Sequence, residues 1–208
     1  MQINIDKKTG SFLVVILILV AIIFGMAWNK NNNNWGMHRG GSNNMAMDGD
    51  EIAGKGGYSG ADVMFLQMMI PHHQQAIDIS NLALKTSKDS ELRVLAQTII
   101  KAQSSEIVQM KAWLKEAGAP AEVGHAMGHG MGGMLDAAEL SNLSAATGTA
   151  FDLLWLKGMI AHHDGAIHMT GMIRDADKAE IRTFGENIIK DQSAQIKQMK
   201  AMQKRLNA

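Results

Sequence analysis

The chain has 208 residues, with 20 Lys and Arg balanced by 20 Asp and Glu, and no cysteine. A neutral chain with few aromatics gives no electrostatic case for nucleic acid, and the lack of thiols excludes disulfides, cysteine-ligated zinc and a thiol nucleophile. Methionine, at 17 residues, outnumbers leucine at 16; it serves either as a flexible core filler or as a soft thioether ligand suited to Cu(I), and position must separate the two.

The first 28 residues read as an export segment. Residues 12–28 are almost unbroken in their apolar character and follow Lys7 and Lys8. A helix of that length spans ~25 Å, within the workable range for crossing a bilayer. The leading lysines predict an inside N-terminus and an outside remainder. Two readings stay open: an uncleaved membrane anchor, or a signal peptide cut near Gly25-Met26-Ala27. Either one places the rest of the chain in the cell envelope, on the periplasmic or extracytoplasmic side. Residues 29–60, rich in Asn and Gly, show no helical or strand period and read as a linker. The linker is a plain tether or, through Met37-His38 and Met45-x-Met47, a weak metal collector.

One helical hairpin is then written twice. Residues 62–80 match residues 152–170 at an offset of 90, with eight of nineteen positions identical. Residues 91–113 match residues 180–202 at an offset of 89, with twelve of twenty-three identical. Ser59-x-x-Asp62 and Thr149-x-x-Asp152 look like capping boxes in register with the repeat, and Gly118 with Pro120 stops the second helix. The expected organisation is hairpin one over 61–117, a Gly/Met/His-rich loop over 118–135 and hairpin two over 136–208. Two hairpins that bury their apolar faces on each other make an all-α four-helix bundle.

At about 100° per residue, Asp62, Met69 and His73 fall on one inward stripe of the first helix, and His72 falls on its edge. Gln103 and Met110 face inward from the second helix, with Glu106 beside them. Asp152, Met159, His162 and His163 repeat the first set; Gln192 and Met199 repeat the second. Inward Asp, His and Gln are either metal ligands or polar groups that satisfy one another across the core. Pro71, whose counterpart is Ala161, either kinks the helix to open a site or is a tolerated irregularity. His168 and Met172, four residues apart on the outer side, are a transfer site or plain surface; Met169 lies beside the row of His162. In the loop, His125, Met127, His129, Met131 and Met134 are separated by Gly and Ala. That spacing cannot be core packing; it either lets backbone fold around an ion or is a disordered spacer.

The segments MMIPHHQQAIDIS and MIAHHDGAIHM, each followed by Q-x-x-[EQ]-I-x-x-M, resemble the domain-of-unknown-function family 305 over nearly all of residues 60–205. The resemblance implies a ferritin-like four-helix bundle and an exported protein that binds copper and silver. The helices lack the Glu-x-x-His pairs of di-iron bundles; Glu122-x-x-His125 sits in the loop. The expectation is therefore a binding protein and not an enzyme: a buffer or chaperone for Cu(I), with Ag(I) as surrogate. Its partners would be metal ions, the membrane through residues 12–28 and a copper donor or acceptor protein. Two rivals are a copper-dependent oxidoreductase and a metal-free interaction module.

Overall fold

The computed structural model describes residues 55–121 and 132–208. The expected export helix, most of the linker, and His125, Met127, His129 and Met131 lie outside the described residues. Among the described residues no helix is long and apolar enough to cross a membrane. All described secondary structure is helical: α1 (Gly60–Thr86), α2 (Ser90–Ala117), α3 (Ala137–Ala145), α4 (Gly148–Met169) and α5 (Ala179–Leu206), with short 3-10 turns at Lys55–Gly57 and Thr170–Ile173.

The helix ends follow local chemistry. The Ser59 hydroxyl accepts from Asp62 N at 3.1 Å, and Ser59 N donates to the Asp62 carboxylate at 2.8 Å, so two otherwise orphaned amides are satisfied at once. Asp89 caps α2 through Leu92 N, and Gly118 ends it in the left-handed region at φ 68°, which glycine adopts without penalty. The capping box expected at Thr149 does not form. Helix α4 begins earlier, at Gly148 after Thr147, with no side-chain cap. Helix α1 runs unbroken through the exposed Pro71.

Each hairpin turn is tied off by the same device. Arg93 donates to the carbonyls of Leu84 and Ser87; Arg182, 89 positions later, donates to those of Ala176 and Asp177. Before α1, the last residues of the expected linker pack down: Tyr58 is buried and its hydroxyl donates to Glu116 at 3.0 Å.

Helices α1 and α2 form one hairpin, α4 and α5 the other, and the hairpins meet mainly along α1 and α4. These two run antiparallel. Trp155, seven residues before His162, donates its indole N–H to the carbonyl of Ile79, seven residues after His72, while the His72 and His162 rings pack against each other, tilted by 41° with centroids 3.8 Å apart.

The apolar core is not continuous. One cluster joins the first half of α1 (Phe65, Leu66, Met69) to the second half of α2 (Met110, Trp113, Leu114) and to Met169, Ile173 and Ile188. The other joins the second half of α1 (Ala76, Ile79) to the first half of α2 (Leu92, Ala96, Ile99) and to Trp155, Met159, Ile196 and Met199. Between them lies a layer of buried polar side chains.

A candidate metal centre in the buried polar layer

The layer is built around four histidines that are wholly buried: His72, His73, His162 and His163. Adjacent histidines on one helix diverge by about 100°. Their ring centroids therefore stand apart, at 6.5 Å for His72 and His73 and 6.3 Å for His162 and His163. One histidine of each pair reaches the partner hairpin, and the other turns to its own second helix.

The hydrogen bonds fix which ring nitrogen is protonated. His72 Nε2 lies 3.2 Å from the carbonyl of Gly132, and His162 Nε2 lies 2.8 Å from the carbonyl of His72. His163 Nε2 lies 2.6 Å from Gln195 Oε1. A carbonyl oxygen only accepts, so each facing Nε2 carries the proton and each Nδ1 presents a bare lone pair. All three of these Nδ1 atoms are buried without a partner. His73 differs. Its Nε2 sits 2.6 Å from Glu106 Oε2, but the approach is out of line with the ring N–H, and both atoms count as unpartnered together with His73 Nδ1. We read this contact as electrostatic, not as a formed hydrogen bond.

Burial holds three of the rings, those of His72, His162 and His163, neutral. It lowers His72 and His163 from 6.5 to about 4, in each case against a hydrogen bond that acts the other way. It pushes His162 well below its ordinary value, helped by the neighbouring histidines. A neutral imidazole is the form that ligates metal.

Gln103 and Gln192 complete the layer. Both are buried, and neither amide nitrogen nor amide oxygen of either has a partner. Each orphaned group costs about 1–3 kcal/mol. If these inward groups satisfied one another they would be bonded across the core. Instead, His162 bonds the backbone carbonyl of His72, His163 bonds Gln195 on its own hairpin, and among the described residues Gln103 and Gln192 bond neither these histidines nor each other. Met69 and Met110 border the layer from one apolar cluster, Met159 and Met199 from the other, all four wholly buried. Among the described residues no three His, Asp or Glu side chains form a group able to hold a metal ion. A centre here must therefore draw on thioether or amide donors. A mixed imidazole and thioether set is the kind that suits a soft ion, and the orphaned Nδ1 atoms are unused donors of that type.

The remaining candidates are dispersed. Asp62 and Asp152 are buried but sit ten residues before His72 and His162, ~15 Å along a helix. Asp62 is engaged as a cap, and one carboxylate oxygen of each has no partner. His168 is exposed, while Met172 lies within the 3-10 turn and packs against the first cluster. Helical spacing does not hold across that turn, so the two are not neighbours on a continuous α-helical face. Met169 is buried in the same cluster, seven residues beyond His162 on the same helix. Met134 lines a cleft with Leu135, Leu154 and Gly158.

Two features were beyond sequence reasoning. Gln195 stands in the Q-x-x-[EQ] motif, yet only its offset of 89 from Glu106 marks it as a partner of His163. The end of the loop is also pinned: Gln75 donates to the carbonyl of Leu135 at 2.9 Å and accepts from its N–H at 2.8 Å. Here Gly132 and Gly133 press directly on α4. A Cβ on Gly165 would lie 1.9 Å from Gly132 O, and one on Gly133, whose φ is 85°, would lie 2.2 Å from Ala161 O. This backbone-to-backbone approach accompanies the placement of the Gly132 carbonyl against His72.

The family model described as "Domain of unknown function (DUF305)" matches residues 62–203. Among solved structures the chain is similar to a DUF305 protein of Streptomyces coelicolor thought to be secreted, at 27% identity, 71% of this chain, 94% of that one and a TM-score of 0.66. It is similar to a DUF305 fragment from Deinococcus radiodurans at 32% identity, 70% and 96% coverage and a TM-score of 0.65. It is also similar to CopM. The Cu(II)-bound form matches at 37% identity, 69% and 96% coverage and a TM-score of 0.61. The Cu(I)-bound form matches at 33% identity, 71% and 98% coverage and a TM-score of 0.59. Silver-bound forms of CopM match as well. An uncharacterized protein of Acanthamoeba polyphaga mimivirus is 40% identical over 55 residues, which span 26% of this chain and 36% of that relative's length.

Proposed function

The chain belongs to the DUF305 family, and on that premise we propose that it is an extracytoplasmic binding protein for Cu(I), and for Ag(I) by the same chemistry. In this reading the metal is cargo, the protein buffers it or passes it to an acceptor, and there is no catalytic turnover. The four long helices act as a ferritin-like four-helix bundle, tethered or exported through residues 12–28. The observation that carries the reading is the set of bare, buried Nδ1 atoms of His72, His162 and His163, together with the buried His73 ring, on helices that also bury Met69, Met110, Met159 and Met199. The copper- and silver-bound states of CopM support it.

The residues divide the work simply. His and Met supply neutral donors, so a monovalent ion needs no proton release from a carboxylic acid or thiol. Burial excludes water and holds the imidazoles of His72, His162 and His163 unprotonated. The Nε2–H bonds to Gly132, His72 and Gln195 fix ring orientation, as groups behind metal-ligating histidines do. The test is mass spectrometry under native conditions of the full chain in detergent, titrated with Cu(I) against a competing chelator. We expect retained Cu(I), reduced when His73 and His163 are replaced by Ala. A chain that retains no Cu(I) overturns the proposal.

A further inference from the structure

The two hairpins are near copies, yet the polar layer they build is not symmetric in charge. Positions 89 apart carry Glu106 in the first hairpin and Gln195 in the second. Each contacts the equivalent histidine at the same distance: His73 Nε2 to Glu106 Oε2 at 2.6 Å, and His163 Nε2 to Gln195 Oε1 at 2.6 Å. Other potential donors in the two hairpins are matched: Met69, Gln103 and Met110 of the first correspond in the repeat to Met159, Gln192 and Met199 of the second, and all six are buried. The states of the two sets differ. Gln195 accepts a formed hydrogen bond, so His163 has one bare nitrogen. In the first set both nitrogens of His73, the facing oxygen of Glu106 and the amide of Gln103 are all unpartnered. Glu106 is also 22% exposed, whereas His73 is fully enclosed. The carboxylate thus stands between solvent and the buried ring.

We infer that the duplicated core offers two metal centres with different charge preference. The centre of His73 and Glu106 accepts a divalent ion such as Cu(II) as well as Cu(I); the centre of His163 and Gln195 accepts only the monovalent ion. The inference rests on the metal-binding reading above and adds selectivity to it. The reason is electrostatic. In a buried site an uncompensated charge is costly, and the cost rises steeply with charge. A set of imidazole, amide and thioether donors leaves a bound monovalent ion with a net charge of +1 and a divalent ion with +2. With Glu106 ionised, the same donor types leave a divalent ion at +1. A carboxylate is also a harder donor than a thioether and suits the more oxidised ion. No electron transfer between the centres is implied; the two states are separate cargoes.

The test compares four full-length proteins: wild type, Glu106→Gln, Gln195→Glu and the double exchange. Each is titrated with Cu(I) under reducing conditions and separately with Cu(II) alone. Bound copper is counted by native mass spectrometry and Cu(II) by electron paramagnetic resonance. Copper held elsewhere in the chain is common to all four and cancels in the differences. Glu106→Gln is expected to bind Cu(II) about 10–100-fold more weakly at one site, a larger loss than it shows for Cu(I) at the same site. Gln195→Glu is expected to gain one Cu(II), and the double exchange to restore the wild-type Cu(II) count. If Gln195→Glu fails to fold, judged by its helical circular dichroism, the near-isosteric Glu106→Gln decides alone. Equal Cu(II) binding by wild type and Glu106→Gln, or parallel loss of Cu(I) and Cu(II), overturns the inference while leaving Cu(I) binding in place. A wild type that holds no Cu(I) overturns both readings.

Discussion

Acidifying the metal-free protein from pH 7.5 to pH 5 should remove a large part of its stability, and the buried histidines set the size of the loss. His72 and His163 titrate at about 4 when folded, against 6.5 when free. The folded state therefore binds fewer protons than the unfolded state between those values. The stability of the buried neutral rings is fully present above pH 6.5 and is lost as pH falls toward 4. At pH 5 each of the two histidines costs roughly 2 kcal/mol relative to neutral pH, about 4 kcal/mol together. His162, held well below its ordinary value, adds a loss of the same sign. A domain is stable by about 5–15 kcal/mol, so about a quarter or more of the total is at stake. The assay is urea unfolding followed by circular dichroism, with the buried Trp113 and Trp155 as a second probe by fluorescence. Wild type is compared with the His72→Gln and His163→Gln double variant, which keeps an N–H donor but does not titrate. The wild-type midpoint should fall steeply below pH 6.5, and the double variant should lose much less. A flat wild-type midpoint between pH 7.5 and pH 5, or an equal fall in the variant, would refute the reasoning.

Three further outcomes are expected. Gly165→Ala places a methyl where the backbone of Gly132 already lies; it should cost on the order of 1–3 kcal/mol in urea unfolding and speed amide exchange at Leu135. Met110→Leu with Met199→Leu is close to volume-conserving and should cost under about 1.5 kcal/mol at each site, yet weaken Cu(I) retention in a chelator competition. Unchanged retention would make those methionines core fillers only. Gln75→Ala removes both side-chain bonds to Leu135. It should destabilise by about 1–3 kcal/mol, read as a lower thermal midpoint with the helical signal intact at room temperature.

Much of this structure was legible because the hairpin is repeated and its apolar period is helical. Met69 and His73, four residues apart, fall on the inner side of α1 as the wheel predicts, and so do their copies Met159 and His163. The wheel fails where its assumption fails. His168 and Met172 straddle a 3-10 turn, and α4 begins at Gly148 instead of adopting the cap that Ser59 and Asp62 make in the first hairpin. Long-range pairings carry no local signal. Nothing near His72 in sequence announces that its ring packs against that of His162 or that its Nε2–H meets the carbonyl of Gly132. Similarly, Asp62 and Asp152 share the inner stripe with the histidines, but a stripe is a direction and not a place, and ten residues of helix separate them from the layer.

The split core bears on how such a chain can arise. Each apolar cluster is assembled from half of one hairpin and half of the other, as two copies of a single hairpin would arrange themselves about a two-fold axis. In a dimer of identical chains, any change appears twice, so every site must mirror its twin. Joining the copies in one chain frees each position from its double. Pro71 can then differ from Ala161, and Glu106 from Gln195, so two sites with one ancestry come to carry unequal charge.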